Sequence, residues 1–216
     1  MMEYQGLTLE RLEHDTVRIT TKDNKYLYFD PYKLPSEGAL PKADVIFITH
    51  THFDHCSVED LKRIIQKSTV IIAVPDAQSK LADMEVAEVK LVKPRDEVSV
   101  GELEVQVLPA YNPDKPFHPK ENEWVGYLVT VDGVKVYMAG DTDLIPEMND
   151  FPEMDVAFLP VSGTYVMTAE EAANAAGILE PKLAIPMHYG SVVGSESDAK
   201  RFATEVKAKG MDARII

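Results

Sequence analysis

One stretch of this chain constrains its fold and chemistry more than any other: an apolar run that ends in histidines and a carboxylate. Residues 45–48 read Val-Ile-Phe-Ile, and residues 50–55 read His-Thr-His-Phe-Asp-His. The β-branched apolar run predicts a buried strand, so the polar cluster would lie where that strand ends. A solvated histidine-rich loop is the alternative interpretation. The residue types, their spacing and their position after a strand favour a functional site.

The cluster has the composition of a metal site. Imidazole nitrogens suit Zn, Fe, Mn or Ni, and a carboxylate extends the choice towards harder ions. His50 and His52 are two residues apart, so an extended backbone places them on the same side. Asp54 and His55 come after the strand, where a turn could direct them to a second ion.

Three further polar segments follow predicted strands. They are Asn112 to His118, Gly140-Asp141-Thr142-Asp143, and His188 within Pro-Met-His-Tyr-Gly. Together with residues 50–55 they contain five of the six histidines in the chain. Chance would scatter these residues, so we predict that the four segments form one site.

In this order and spacing, the segments resemble the signature of the metallo-β-lactamase-fold hydrolases. The resemblance extends to the branch of ascorbate-6-phosphate lactonase-like and N-acyl-phosphatidylethanolamine phospholipase-like proteins. It implies a single α/β (α+β) domain over residues 1–216, built as a four-layer αββα sandwich of the metallo-β-lactamase type with the site at one edge. It also implies six metal ligands, namely His50, His52, Asp54, His55, Asp141 and His188.

The resemblance further implies how these ligands are used. His50 and His52 would hold a first ion, Asp54, His55 and His188 a second, and Asp141 would bridge the two. Two divalent ions are therefore expected, with zinc as the first choice and Mn or Fe as alternatives. The expected function is a binuclear metal-dependent hydrolase, in which a metal-bridging hydroxide cleaves a small ester, lactone or phosphodiester. Asp54, Asp141 and His118 are the expected catalytic residues.

The second polar segment departs from the family pattern. A histidine usually follows the strand directly, whereas this chain has Ala110-Tyr111-Asn112 there and its next imidazole is His118. We predict that His118 is the missing ligand. A role as acid or substrate contact, with Asn112 or water completing the first ion, and a solvated loop histidine both remain open. This departure also supports a different function, a metal-binding sensor or interaction protein that has lost turnover.

Two residues outside these segments are predicted to support the site. His14 in Glu13-His14 stands where the resembled branch often carries Gly-His, and it is expected to be structural or to support the ligands. Asp30 ends a predicted strand and matches a carboxylate that supports the metal-binding loop in the family. A plain turn residue is the alternative for Asp30.

The composition of the chain limits the classes of substrate and partner that it is expected to bind. The formal net charge is -14 and the isoelectric point is about 4.8, so polymeric nucleic acid is a poor substrate and a small molecule is expected. The single cysteine, Cys56, allows no internal disulfide and is expected to be inert. Residues 1–12 lack the features of a signal peptide and no apolar run could span a bilayer, so a cytoplasmic location is expected. The oligomeric state is left open.

The remaining pattern predicts β-α-β-α-β after residue 45 and a hairpin at Asp132-Gly133. Helices are predicted to begin at Ser57, at Thr168 with Glu171 as a capping box, and at Ser197. An edge strand is predicted over residues 212–216.

Overall fold

Two structural units make up the chain in the computed structural model, which describes residues 1–36, 38 and 40–216. The units are Met1–Lys93 and Pro94–Ile216. In the described residues each unit contains one mixed β-sheet and two α-helices. None of the described helices combines the length and the apolar composition that a membrane crossing needs.

The first unit is organised around a seven-stranded sheet whose strands follow in chain order. Strands β1 to β4 are antiparallel neighbours, and β4 to β7 are parallel neighbours. The strands are Met2–Tyr4 (β1), Leu7–Glu13 (β2), Thr16–Thr20 (β3), Tyr26–Phe29 (β4), Val45–Ile48 (β5), Val70–Ala73 (β6) and Glu88–Leu91 (β7). The helices are Val58–Ile64 (α1) and Gln78–Leu81 (α2), the latter preceded by a 3-10 turn at Pro75–Ala77.

Strand direction brings the polar residues of the first unit to one edge of its sheet. Both β2 and β4 run antiparallel to β3, and β5 is parallel to β4, so the carboxyl ends of β2, β4 and β5 lie together. His14, Asp30 and the histidine-rich loop follow these three ends. Phe29 and Phe47 stack with ring centroids 4.5 Å apart, and both are fully buried. Because truncating a buried phenylalanine costs roughly 3–5 kcal/mol, this pair fixes β4 against β5 and so positions the loops that follow them.

The second unit contains a six-stranded sheet with the order β13-β12-β11-β10-β9-β8. Strands β8 to β11 are antiparallel neighbours, and β11 to β13 are parallel. The strands are Glu97–Val100 (β8), Leu103–Pro109 (β9), Val125–Val131 (β10), Val134–Met138 (β11), Val156–Pro160 (β12) and Leu183–Met187 (β13). The helices are Ala169–Leu179 (α3) and Glu196–Ala208 (α4), with 3-10 turns at Lys120–Asn122 and Pro146–Asp150.

The carboxyl ends of β9, β11, β12 and β13 also share one edge of their sheet. Asn112, Asp141, Ser162 and His188 follow these ends. A glycine in β10 permits the close approach that this edge requires. A Cβ atom on Gly126 would lie 2.7 Å from the Met138 carbonyl oxygen and 2.8 Å from that of Ala139, closer than such atoms can approach.

Several predicted local features are confirmed. Val131 pairs with Val134 across a two-residue turn in which Asp132 and Gly133 have φ angles of 50° and 82°, the conformation that an Asp-Gly hairpin favours. Ser57 caps α1, and the Thr168 hydroxyl accepts a hydrogen bond from the Glu171 amide in a capping box.

Two predictions of local structure were wrong. Ser195, and not Ser197, caps α4, because its extended backbone lets its side chain and amide form a capping box with Asp198. The predicted edge strand over residues 212–216 is reduced to a single bridge, in which Ala213 pairs with Ala184. Strands β1 and β8 were not predicted.

Candidate metal centre

The loop after β5 begins with a chain of hydrogen bonds that sets the tautomer of His50. The Thr49 hydroxyl donates to Asp30 Oδ2 at 2.6 Å, and the Thr49 amide donates to Asp30 Oδ1 at 2.8 Å. With its proton already used, Thr49 Oγ1 can only accept from His50 Nδ1, which lies 3.0 Å away. In a neutral ring the lone pair then lies on His50 Nε2, which is 3.0 Å from His52 Nδ1.

Asp30 also holds His55. The His55 ring is fully buried, and its Nδ1 lies 2.8 Å from Asp30 Oδ2. Burial raises the pKa of the Asp30 carboxyl, whereas its contacts with His55 and Thr49 act in the opposite direction. A carboxylate on one ring nitrogen leaves the other nitrogen oriented for an ion. Asp30 therefore makes the contacts that a support of the metal-binding loop requires.

The turn between β2 and β3 brings two more buried groups to the same edge. His14 Nε2 lies 3.5 Å from Asp54 Oδ2, and Asp15 Oδ2 lies 3.5 Å from His55 Nε2. His14 was expected to be structural or to support the ligands; it lies beside Asp54, and its role stays a prediction. Asp15 was treated only as a turn residue, and the signal that was missed is its place directly after His14.

In the second unit, Asp141 is the centre of the predicted site residues. Its Oδ2 lies 3.1 Å from His118 Nε2 and 3.2 Å from His188 Nε2, and all three side chains are buried. The other nitrogen of each ring is held by a neighbour: His118 Nδ1 by Asn112 Oδ1 at 2.8 Å, and His188 Nδ1 by Ser162 Oγ at 2.7 Å. Both rings are thus fixed with Nε2 towards the carboxylate.

Asn112 and His118 form a closed unit within the long loop after β9. Asn112 Oδ1 accepts hydrogen bonds from both the backbone amide and Nδ1 of His118. The backbone amide of Asn112 in turn donates to the His118 carbonyl at 2.8 Å. Asn112 Nδ2 donates to the Tyr165 carbonyl at 3.0 Å, which fixes the orientation of the side-chain amide. The only oxygen of this side chain is therefore used on His118. This geometry favours Asn112 as a residue that orients His118 over Asn112 as a ligand.

Two lysines of this loop bind it to other parts of the second unit. Lys115 donates to the Asp143 carboxylate and to the Val166 carbonyl, and burial raises the pKa of Asp143 while Lys115 opposes that rise. Lys120 donates to Glu147 at 2.6 Å. These contacts hold His118 in a packed loop.

Three residues near the site depart from the favoured backbone regions. His14, Asp30 and His188 have positive φ angles of 41°, 43° and 59°. Such conformations cost on the order of 1 kcal/mol or more in residues with a Cβ atom, and they concentrate at functional sites. Cys56, by contrast, is an inert neighbour of the loop, because burial raises the pKa of its thiol to about 11.

The donor groups within each unit fit a divalent ion. Two ligand atoms about 2.1 Å from one ion at a tetrahedral angle lie roughly 3.4 Å apart. The contacts described above between candidate ligand atoms, one of them between two nitrogens and the others between a nitrogen and an oxygen, span 3.0 to 3.5 Å. The set combines imidazole nitrogens with carboxylate oxygens, which suits zinc and also harder ions such as manganese.

Comparison with known proteins identifies the family. The model of the β-lactamase superfamily domain matches residues 8–188. A metal-dependent hydrolase of the UPF0173 group from Koribacter versatilis is 31% identical over 93% of this chain and 93% of its own length, and one from Archaeoglobus fulgidus is 32% identical over 81% and 78%. The crystal structure of a provisionally named metal-dependent hydrolase from Parabacteroides distasonis has a TM-score of 0.86 and 36% identity over 97% of this chain and 92% of that one.

A second solved structure agrees on the fold. Igni18, a metallo hydrolase from Ignicoccus hospitalis, has a TM-score of 0.80 and 24% identity over 97% of this chain and 94% of its own. These matches, with a mixed sheet and its helices in each unit, confirm the predicted αββα fold class. The chain belongs to the β-lactamase superfamily and carries the metallo-β-lactamase fold.

Proposed function

We propose that this member of a family of metal-dependent hydrolases uses two divalent ions to cleave a small ester, lactone or phosphodiester. The proposal assigns His50, His52 and His118 to one ion, and Asp54, His55 and His188 to the other, with Asp141 shared. The expected ions are zinc, with manganese or iron as alternatives. The proposal treats residues 1–216 as one domain. It takes a small organic molecule as the substrate.

The observation that carries this proposal is the arrangement around Asp141. Two imidazole Nε2 atoms lie 3.1 and 3.2 Å from one carboxylate oxygen, inside a buried environment. The Nδ1 atom of His118 donates to Asn112, so a neutral ring has its lone pair on Nε2. A lone pair that faces a buried carboxylate at this distance is stabilised by a cation between the two groups.

The residues of this chain supply orientation and charge for such a reaction. A divalent ion held there would lower the pKa of a coordinated water and polarise the bond to be cleaved. Asn112 and Ser162 fix the rings of His118 and His188, so little reorganisation is needed when substrate binds. Thr49 and Asp30 do the same for His50 and His55.

Exposed aromatic rings beside the proposed ligands support an organic substrate. Phe53 stands within the histidine-rich loop, is 63% exposed, and packs edge-on against Tyr32. Phe117 directly precedes His118, is 41% exposed, and packs edge-on against Tyr165. An aromatic ring that is partly exposed beside a ligand residue offers an apolar contact to an organic molecule. The formal net charge of -14 disfavours a polyanionic substrate.

The alternative function, a metal-binding protein without turnover, depended on the missing histidine of the second segment. His118 is buried and oriented by Asn112, so the structure gives that alternative no added support.

The proposal is tested with Asp141→Asn. We expect this variant to remain folded, to lose much of its metal and to lose nearly all hydrolysis, at least 100-fold, because an amide cannot bridge two cations with charge. Asp132→Asn is the matched control, since a two-residue hairpin turn accepts Asn as readily as Asp. Metal is measured by elemental analysis after purification without chelator. Turnover is measured with bis-p-nitrophenyl phosphate and a panel of lactones. Full activity in Asp141→Asn would refute the assignment of Asp141.

A further inference from the structure

We propose that Asp15 is an additional carboxylate ligand of the ion that His55 binds. This inference rests on the proposed function, and it adds a residue for which the family signature has no place. Asp15 lies in the turn between β2 and β3, and its side chain is fully buried.

The first argument is the geometry around His55. Its Nδ1 is held by Asp30 at 2.8 Å, and its Nε2 lies 3.5 Å from Asp15 Oδ2. An N–H···O hydrogen bond spans about 2.7–3.2 Å, so 3.5 Å is long for one. Two ligand atoms of one ion at a tetrahedral angle are roughly 3.4 Å apart. The contact between Asp15 and His55 therefore has the spacing of a ligand pair.

The second argument is charge. Asp30 and Asp15 place two carboxylates on opposite nitrogens of one buried ring. Buried charges are stabilised by ion pairs or by metal coordination. Either a doubly protonated His55 or a divalent ion bound at Nε2 could balance this pair. A doubly protonated His55 would donate to both carboxylates at hydrogen-bond distance, whereas an ion bound at Nε2 accounts for a short Asp30 contact beside a long Asp15 contact.

The third argument is that the same turn makes a second contact of this kind. His14 Nε2 lies 3.5 Å from Asp54 Oδ2, and Asp54 is one of the proposed ligands of the same ion. Two adjacent residues of the turn thus face two successive residues of the histidine-rich loop. With Asp15 added, the ion has one more carboxylate ligand. The affinity of the site for hard ions such as Mn²⁺ therefore rises relative to its affinity for Zn²⁺.

The test begins with Asp15→Asn, which keeps the size of the side chain and removes its charge. Metal-free variant and wild type are titrated with Zn²⁺, Mn²⁺ and Co²⁺, and their thermal midpoints are measured with and without metal. We expect the metal-free variant to melt at or above the wild-type temperature, because a buried negative charge is gone. Its affinity for Mn²⁺ should fall at least tenfold and more than its affinity for Zn²⁺. Its visible Co²⁺ spectrum should change in shape, since a ligand is lost.

Asp30→Asn is the matched control, because Asp30 contacts the other nitrogen of the same ring. This variant should lower the affinity for all three ions to similar extents and leave the shape of the Co²⁺ spectrum unchanged.

Two results would overturn the role of Asp15. One is a metal-free Asp15→Asn protein that is strongly destabilised or unfolded, which would identify Asp15 as an ion-pair partner of a protonated His55. The other is unchanged affinity and spectrum in the variant while the wild type binds its ions. A wild-type protein that binds no divalent ion would instead refute the proposed function itself.

Discussion

Tyr137 shows how a single buried atom bears on stability. Its ring is fully buried in β11, and within the described part of the chain its hydroxyl has no hydrogen-bond partner. Burial raises the pKa of this phenol, so the hydroxyl is neutral. Tyr28 is equally buried, but its hydroxyl donates to the Pro41 carbonyl at 2.9 Å and accepts from Arg18. A buried hydroxyl without a partner costs about 1–3 kcal/mol, whereas a satisfied one contributes about 1 kcal/mol.

The two tyrosines therefore give opposite predictions. Tyr137→Phe should leave the free energy of unfolding unchanged or raise it by about 1 kcal/mol, because only an unsatisfied group is removed. Tyr28→Phe should lower it by about 1 kcal/mol, because two contacts are lost. Urea unfolding of both variants measures the difference. Destabilisation by Tyr137→Phe as large as that by Tyr28→Phe would mean that the Tyr137 hydroxyl is satisfied by an internal water.

Individual residues also show the limit of what the sequence could predict. The ligand types in residues 50–55 and the position of Asp141 after a strand were enough to indicate a metal site. The role of Asn112 could not be found that way, because its bonds to His118 depend on how a loop with several prolines closes. Asp15 was missed because aspartate is common in turns, and only the packing of β2 and β3 buries it.

At the scale of elements, Asp155 ties together the starts of three strands in the second unit. Its carboxylate accepts from the Lys135 amide at 2.8 Å and from Lys182 Nζ at 2.7 Å. Its backbone bonds to the Lys135 carbonyl and the Leu183 amide, both at 2.9 Å. Although burial alone would raise the pKa of Asp155, the hydrogen bonds from Lys182 and Lys135 hold it below its ordinary value of 3.8.

This shift predicts how stability depends on pH. A carboxyl whose pKa is lower in the folded state stabilises the fold above its unfolded pKa and loses that contribution as pH falls through its folded pKa. The stability lost in Asp155→Asn should therefore be constant between about pH 5 and 8, and it should shrink below about pH 4. Chemical unfolding of wild type and variant across this range measures it. A difference that grows towards low pH would contradict the assigned direction of the shift.

Elements differ in how well local sequence determines them. The hairpin at Asp132-Gly133 and the cap of α3 at Thr168 were predicted correctly, because both depend on neighbouring residues alone. The start of α4 was misplaced because Ser195 and Ser197 are equally good caps in sequence, and the structure selects Ser195 through its contact with Asp198. Strand β8 is partly exposed along its length, so it lacks the apolar pattern that reveals a buried strand.

At the scale of the whole molecule, we expect the proposed ions to contribute a large part of the free energy of unfolding. The formal net charge is already -14, and several of the acidic side chains are buried among the proposed ligands. Ligands that bind only the folded state stabilise it by mass action, by about 2.7 kcal/mol for each site at a concentration 100 times the dissociation constant. Removing the ions should therefore lower the thermal midpoint, and one bound ion should restore only part of the loss.

His118→Ala tests this expectation together with the predicted ligand that departs from the family pattern. The variant should retain about one ion per chain, because His118 is assigned to one ion only and the other keeps its own ligands. Its thermal midpoint in excess Zn²⁺ should lie between those of metal-free and metal-loaded wild type. Phe117→Ala is the control, because it truncates the neighbouring, partly exposed side chain of the same loop and should preserve both ions. If His118→Ala binds two ions but has lost turnover, His118 is an acid or a substrate contact. If the variant binds two ions and keeps full turnover, water or Asn112 completes the coordination of the first ion.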